Sequence, residues 1–231
     1  MRQLALDLKL ADHARFQSYL AGPNDIAVQA IQKLANSPNG EVIWLWGAFG
    51  SGRSHLLQSA IANAAENNLT CAWLPLGSKI DLAPGLLEGM GNLDLVCIDD
   101  IDCVAGQSEW EKYLFILFED LREYQSNLII SASLPPSASA FQMKDLKSRL
   151  ASGSTWKLMP LSDEQKIEAL KLRANWRGFE LPHETALYLF RRVERSNQAL
   201  FSLLDELDNE ALRSKRRLTI PFVKNFLKLS T

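Results

Sequence analysis

The chain of 231 residues is 47% hydrophobic and 23% charged, a composition typical of a folded globular protein with a sizeable core. Its formal net charge of −2 excludes a uniformly basic surface and predicts no strong direct binding to DNA. The three cysteines lack metal-ligand spacing, no apolar run could span a membrane, and the first residues do not resemble a signal peptide, so we predict a cytoplasmic location without membrane contact.

Near the N-terminus, Leu4, Leu6 and Leu8 alternate with other residues and follow Gln3. In an extended chain the three leucines face the same side. Such a segment is either an edge strand packed on the protein's own body or an extended peptide that binds a groove on a partner. The alternation alone favours the edge strand.

The most informative stretch is a glycine-rich segment that follows the apolar run 42–46 and precedes a run with helical spacing. Strand, glycine-rich loop and helix, with a basic residue and a hydroxyl at the end of the loop, predict a phosphate-binding loop. The alternative is a glycine-rich turn without a ligand. Ser54 is a candidate Mg²⁺ ligand, and the candidate nucleotide-binding residues here are Gly47, Phe49, Gly50, Ser51, Gly52, Arg53, Ser54 and His55.

Further along the chain, apolar strands alternate with helical patterns. We predict strands at 71–76, 93–98, 127–133 and 156–159, a short helix at 82–90 and a helix at 108–123. The third strand ends at Asp99 and Asp100, where a carboxylate that organises Mg²⁺ is expected relative to a phosphate loop. This alternation predicts an α/β fold with a five-stranded parallel sheet covered by helices.

After Pro160 the pattern changes to helices only. Residues 162–165 read as a capping box that opens a helix to about Trp176, and Pro182 suits the first position of the next helix. We therefore predict a tail at 1–10, a nucleotide-binding domain at 11–160 and a small all-α domain at 161–231. The basic cluster between Arg213 and Arg217 is explained as a solvated helix end without nucleic acid.

Several segments together resemble the AAA+ ATPases, and within them the DnaA/Hda family. Gly47–Ser54 resembles the family's Walker A motif, Val96–Ile101 its Walker B motif with paired aspartates, and Leu146–Leu150 its arginine-finger segment. Residues 177–182 and 218–223 resemble its lid. The sequence ends near Leu229 without a helix-turn-helix domain, so we expect an Hda-type member of the family.

The resemblance implies a regulator of replication initiation. It implies bound ADP or another nucleoside diphosphate, with Mg²⁺ held by Ser54 and Asp99, and docking on the DNA polymerase III β sliding clamp through Gln3, Leu4, Leu6 and Leu8. It also implies that Arg149 acts on the ATP bound to DnaA and stimulates its hydrolysis. Without the resemblance, a surface salt bridge would explain Arg149. Monomer and homodimer both suit this activity.

Other positions depart from the family pattern or complete the predicted site. Ser133 stands at sensor 1 in place of an acid, and Gln198 aligns with the sensor 2 arginine, with Arg195 one turn earlier. Together with Arg53 in place of lysine, these changes predict weak self-hydrolysis of ATP. We expect Phe16, Tyr19 and Asn24 to help enclose the base and ribose. The rival hypotheses are a self-hydrolysing AAA+ motor, a DNA-binding initiator relative and a P-loop kinase.

Overall fold

The computed structural model describes residues 14–77, 82–193, 196–214 and 216–229, except the side chains of residues 198, 228 and 229. The predicted clamp-binding residues Gln3, Leu4, Leu6 and Leu8, together with Arg195 and the Gln198 side chain, lie outside this part of the chain. The strands are β1 (Val42–Trp46), β2 (Cys71–Pro75), β3 (Leu95–Asp99), β4 (Asn127–Ala132) and β5 (Ser154–Lys157). The α-helices are α1 (Asp25–Leu34), α2 (Arg53–Glu66), α3 (Ser108–Glu123), α4 (Lys144–Leu150), α5 (Asp163–Trp176), α6 (His183–Arg192), α7 (Asn197–Ser214) and α8 (Ile220–Leu229).

The five strands form one parallel sheet in the order β2-β3-β4-β1-β5, which confirms the predicted fold class. Every residue of β3 and β4 is buried, as expected for central strands covered by helices on both faces. In the register of β1 and β4, Trp46 is paired with Ala132, so the loops that follow these two strands leave the sheet side by side. The end of β3 is next to them, and this edge of the sheet carries the predicted site.

The sheet separates two hydrophobic cores. One contains Ile31 of α1 and Leu57 of α2 with the side chains on one face of β1, β3 and β4. The other contains Leu114 of α3 and Leu146 of α4 with the side chains on the opposite face. Trp44 of β1 is buried in this second core, and its indole nitrogen donates a hydrogen bond to the Leu134 carbonyl at 2.9 Å.

Helices α5 to α8 form a separate helical lid with its own core. Ser162 and Gln165 form the predicted capping box: the Ser162 hydroxyl accepts from the Gln165 backbone N–H, and the Gln165 side chain accepts from the Ser162 N–H. Fully buried side chains in the lid core come from each of the four helices. They include Leu170, Ala186, Leu204 and Val223.

Predicted and observed elements differ in several places; strand β3, for example, begins at Leu95 rather than at residue 93. In place of the predicted helix at 82–90 there are two short 3₁₀ turns, Pro84–Leu87 and Met90–Asn92, because Pro84 and three glycines interrupt the segment. Strand β5 lies two residues earlier than predicted, because the backbone of Met159 is hydrogen-bonded by a side chain rather than by a strand. Pro182 is the N-cap of α6 rather than its first helical residue.

Across the described ranges, no helix combines the length and apolarity that crossing a membrane requires.

Candidate functional site

A cleft of about 300 Å³ lies between the carboxyl edge of the sheet and the lid. Residues Phe49 to Ser54 of the glycine-rich loop form one wall, and Phe49 at its rim is 81% exposed. The lid contributes side chains that the sequence did not single out. They are Leu161, Ala169, Arg173, Asn197 and Phe201.

The loop has the backbone geometry of a phosphate cradle. Gly50 and Gly52 have φ angles of +78° and +94°, which residues with a Cβ atom rarely adopt. The loop closes with a hydrogen bond from the Ser51 N–H to the Ala48 carbonyl at 3.1 Å, and α2 begins at Arg53. The first N–H groups of α2 have no partner within the helix, so this end of α2 favours an anion in the cleft.

Arg53 supplies a buried positive charge beside this loop. Its side chain is 9% exposed, and its Nη2 atom lies 3.1 Å from the Asp100 Oδ1 atom. Its Nη1 atom is buried and has no hydrogen-bond partner among the described residues. Because a buried guanidinium nitrogen without a partner is unfavourable, the site is suited to an anionic ligand that accepts this hydrogen bond.

The two aspartates at the end of β3 have different environments. Asp99 is buried and accepts a hydrogen bond from the Ser131 hydroxyl of β4, whereas Asp100 lines the cleft. The Asp100 N–H donates to the same Ser131 oxygen at 2.9 Å, and Asp100 has a φ of +54°. Burial and the neighbouring Asp99 raise the pKa of Asp100, and Arg53 opposes this shift. Asp99, the predicted magnesium ligand, therefore lies behind the cleft wall.

Ser133, the predicted sensor 1 residue, follows β4. Its backbone N–H donates to both carboxylate oxygens of Asp102, at 3.2 and 3.1 Å, and its hydroxyl donates to the same carboxylate. Neither Ser133 nor Asp102 is among the residues that line the cleft. Within the described ranges, no group of three or more acidic, histidine or cysteine side chains could hold a metal ion by itself.

Tyr19 closes the cleft next to the loop. Its hydroxyl donates to the Ser51 carbonyl at 3.3 Å, and its ring centroid lies 5.5 Å from that of His55 at an interplanar angle of 40°. Burial raises the pKa of Tyr19 to about 12. His55 also contacts the segment that precedes Tyr19. Its Nε2 atom lies 3.1 Å from the Arg15 carbonyl and 3.3 Å from the Ser18 hydroxyl.

The structure does not bring Phe16, Asn24 and Gly47 into the lining of the cleft. Phe16 is buried in the core beneath it. The Asn24 side chain accepts from the Met159 N–H at 2.7 Å and donates to the Met159 carbonyl at 3.0 Å. At Gly47 an added Cβ atom would lie 2.9 Å from the Leu158 carbonyl oxygen. These three residues therefore shape the scaffold around the loop and the strand β5.

Two polar side chains of the lid line the cleft, and one of them contacts the loop. Asn197, at the start of α7, donates from Nδ2 to the Gly50 carbonyl at 3.0 Å. Arg173 of α5 forms an ion pair with Asp205 at 2.8 Å, and its guanidinium carbon lies 4.8 Å from the Phe201 ring centroid. A lone asparagine and a lone arginine carry no sequence signal, so only the fold reveals that they line the cleft.

Two sequence profiles match more than half of the chain between them. The profile described as "Bacterial DnaA ATPAse domain" matches residues 84–159, and the profile described as "Hda, lid domain" matches residues 163–227. The chain belongs to the DnaA/Hda family of AAA+ proteins. The resemblance predicted from the Walker and lid segments is thereby confirmed.

Solved structures share the fold of this DnaA/Hda-family protein. Domain III of the replication initiation protein DnaA from Thermotoga maritima has a TM-score of 0.79 at 21% identity, covering 96% of this chain and 98% of that chain. A replication initiator DnaA bound to AMPPCP and single-stranded DNA has a TM-score of 0.70 at 18% identity, covering 89% and 69%. AMPPCP-bound DnaA from Aquifex aeolicus has a TM-score of 0.67 at 18% identity, covering 88% and 67%.

In this DnaA/Hda-family protein, Arg149 lies on α4, away from the residues that line the cleft. Its side chain is 29% exposed, so it is neither buried in the interior nor fully solvated. The Nη1 atom lies 2.7 Å from the Glu119 Oε1 atom of α3, and the guanidinium carbon lies 4.9 Å from the Phe115 ring centroid. The surface salt bridge that the residue type alone suggests is therefore present.

Proposed function

We propose that this protein is a regulator of replication initiation that stimulates ATP hydrolysis by DnaA and so prevents re-initiation. In this proposal it holds ADP or another nucleoside diphosphate in its own cleft and docks on the β sliding clamp. The observation that carries the proposal is the separation of two arginines: Arg53 lies buried in the phosphate cradle, whereas Arg149 lies half-exposed outside it. The first suits a resident ligand and the second suits a partner.

A tightly held diphosphate is supported by the cradle itself. The loop N–H groups, the N-terminus of α2 and the unpartnered Arg53 Nη1 atom offer donors to phosphate oxygens. Mg²⁺ would be held by phosphate oxygens and the Ser54 hydroxyl, and it would neutralise phosphate charge. Asp99 already accepts from Ser131 and Ser133 is engaged by Asp102, which favours binding over hydrolysis. We therefore expect weak or no ATPase activity in the protein alone.

Arg149 is proposed to act in trans on the ATP bound to DnaA. A guanidinium that contacts the γ-phosphate stabilises the charge that develops during phosphoryl transfer, and such arginines contribute about 10³–10⁵ in rate. Helix α4 is short and packs on the core through Leu146 and Leu150, which are both buried. Arg149 is thus carried by a fixed element at the protein surface, as a contact with a partner's nucleotide requires.

Docking on the β clamp is proposed to depend on Gln3, Leu4, Leu6 and Leu8, which lie outside the described residues. We propose the domain boundaries 1–10, 11–160 and 161–231, a cytoplasmic location, and action as a monomer or homodimer without strong direct DNA binding. Pull-down with DNA-loaded clamp should succeed for the intact protein and fail for Gln3→Ala/Leu4→Ala. Equal binding of both proteins would show that the tail is not the docking peptide.

The deciding experiment measures hydrolysis of radiolabelled ATP on DnaA with DNA-loaded clamp, comparing the intact protein with Arg149→Ala. We expect stimulation to be lost while clamp binding and folding are retained, because an arginine this exposed contributes under ~1 kcal/mol to stability. Full stimulation by Arg149→Ala would reject the trans-acting role. Brisk ATP turnover by the protein alone would instead support the alternative, a self-hydrolysing AAA+ ATPase or loader.

A further inference from the structure

Charge is divided unevenly along the chain. Residues 1–160 carry 12 lysines and arginines against 17 aspartates and glutamates, whereas residues 161–231 carry 13 against 10. The formal net charge of −2 therefore combines −5 in the first part with +3 in the lid. A total close to zero conceals a basic lid.

The cations of α5 and its C-cap are neutralised within the lid. Each of the four lies 3.7 Å or less from a carboxylate of α5 or α7. The pairs are Lys166 with Asp163, Lys171 with Glu168, Arg173 with Asp205, and Arg177 with Asp205 and Asp208. This side of the lid therefore presents little net positive charge.

The cations from α6 onwards are not neutralised in this way. Six are described, and all six are exposed: Arg191, Arg192, Arg213, Arg216, Arg217 and Lys224. None of them forms an ion pair with any carboxylate that the structure describes. The positive charge of the lid is thus concentrated on the side that α6 and α8 form.

Tyr188 brings two of these cations together. The Arg192 guanidinium carbon lies 5.4 Å from the centroid of its ring, and the Lys224 Nζ atom lies 5.7 Å from the same centroid. Tyr188 and Arg192 are one turn apart on α6, and Lys224 comes from α8. The attraction of each cation to the ring offsets their mutual repulsion. We name Tyr188, Arg192 and Lys224 the basic face.

We infer that the basic face contacts the phosphodiester backbone of the duplex DNA on which the clamp is loaded. This inference rests on the proposed function, which holds the protein beside that DNA. Duplex DNA carries one negative charge per about 1.7 Å of its axis, so neighbouring cations can each meet a phosphate. An acidic protein is less suited, because the ring of this face is engaged by the two cations and offers no apolar centre.

The contact is weak alone and gains from docking on the clamp. Binding through phosphates only has a dissociation constant of about 10⁻⁴–10⁻⁶ M at physiological salt, which agrees with the absence of strong direct DNA binding in the proposed function. On the clamp, the encircled DNA is present at an effective concentration of about 1 mM. The basic face should therefore increase the affinity for DNA-loaded clamp about tenfold.

The first test titrates each protein into a labelled duplex of about 30 base pairs, between about 50 and 200 mM salt. Arg192→Gln/Lys224→Gln removes both cations of the face. The slope of log affinity against log salt concentration should become shallower by about 1.8, because each lost phosphate contact removes about 0.9.

Two further variants separate the local charge from the net charge. Lys166→Gln/Lys171→Gln removes the same charge from ion-paired positions of the same lid and should keep the slope of the intact protein. Glu184 is exposed one turn before Tyr188 on α6, so Glu184→Gln should tighten DNA binding about twofold. A misfolded lid would not produce this gain.

The second test measures binding to clamp loaded on DNA and to free clamp by surface plasmon resonance. The intact protein should bind the loaded clamp about tenfold more tightly, and Arg192→Gln/Lys224→Gln should bind both forms equally. An unchanged salt slope and an unchanged preference in this variant would overturn the inference. Equal weakening on both forms would show that the face contacts an acidic protein surface, and the inference would be wrong. If the intact protein bound neither form, clamp docking would fail, and the duplex titration would still decide the role of the basic face.

Discussion

The Tyr19 ring lies directly against Gly52 of the phosphate loop: a Cβ atom added to Gly52 would be 2.6 Å from the Tyr19 Cε2 atom. The same tyrosine hydroxyl donates to the Ser51 carbonyl. The segment before α1, which contains Tyr19, and the loop before α2 are therefore fitted to each other. Glycine at 52 is required both by its φ of +94° and by the ring beside it.

Gly52→Ala should destabilise the protein more than Gly50→Ala does. Gly50 has a similar φ of +78°, but nothing lies within 4 Å of a Cβ atom added there. Gly50→Ala therefore measures the cost of the left-handed backbone alone, about 1 kcal/mol, and Gly52→Ala adds the contact with Tyr19, for a total of about 2–4 kcal/mol. Urea denaturation of both variants measures the difference. Equal losses of unfolding free energy would show that the ring moves aside without cost.

Tyr19 should make stability depend on pH at the alkaline end. Its pKa is raised to about 12 in the folded protein by burial, whereas an unfolded tyrosine titrates near 10. The folded state therefore keeps this proton more strongly, so the stabilisation is complete below pH 10 and is lost as pH rises towards 12. The loss amounts to roughly 2–3 kcal/mol.

Tyr19→Phe isolates this effect from the other groups that titrate at high pH. The unfolding free energy of the intact protein should fall more steeply between pH 10 and 12 than that of Tyr19→Phe, as measured by chemical denaturation at each pH. Absorbance at 295 nm should also show one of the four tyrosines titrating last, and this step should be missing from the variant. Parallel stability curves would contradict the assignment.

Arg53→Met should weaken nucleotide binding. The change keeps the aliphatic stem but removes the buried Nη1 donor and the partner of Asp100. A hydrogen bond between charged groups contributes about 1.5–3 kcal/mol, so we expect the dissociation constant for ADP to rise about 10–100-fold. Isothermal titration calorimetry with ADP measures this. Arg122→Met, at an exposed position on α3, is the control and should bind ADP normally.

The overall fold and the loop could be predicted from the sequence because both depend on local patterns. Runs such as 42–46 and 95–98 are apolar throughout, and the spacing of Gly47, Gly50 and Gly52 before Arg53 is local as well. The partners of the loop could not be predicted, because they come from distant segments. Asn197 and Gly50 are 147 residues apart, and Asn24 and Met159 are 135 apart. The sequence predicts Asn24 near the nucleotide, but its amide instead binds both backbone groups of Met159.

Glu111 is another residue whose role only the fold reveals. It is 2% exposed, and its carboxylate accepts from the backbone N–H groups of Gly106 at 2.8 Å, Gln142 at 3.0 Å and Met143 at 2.7 Å. In the sequence alone, a charged residue within a predicted helix is interpreted as part of the solvent-exposed face. Here it links α3 to the start of α4, the helix that carries Arg149.

Glu111→Gln should therefore destabilise the protein although the shape is kept. The amide group of glutamine would face backbone donors, leaving buried polar groups unsatisfied at a cost of about 1–3 kcal/mol. Glu109→Gln, exposed on the same helix, should change the unfolding free energy by less than about 0.5 kcal/mol. Thermal and chemical denaturation of the two variants test this. A Glu111→Gln protein as stable as its control would mean that the three N–H groups find other acceptors.

The hydrogen bond from Asn197 to the Gly50 carbonyl attaches the helical lid to a single peptide unit of the phosphate loop. A rotation of that peptide plane would detach the side chain, and a ligand that immobilises the plane would make the attachment durable. If the cleft binds a diphosphate as proposed, the loop would therefore also limit movement of the lid. A bound diphosphate would then restrict the movement of α7, and a partner that contacts the far side of the lid would meet a more rigid surface.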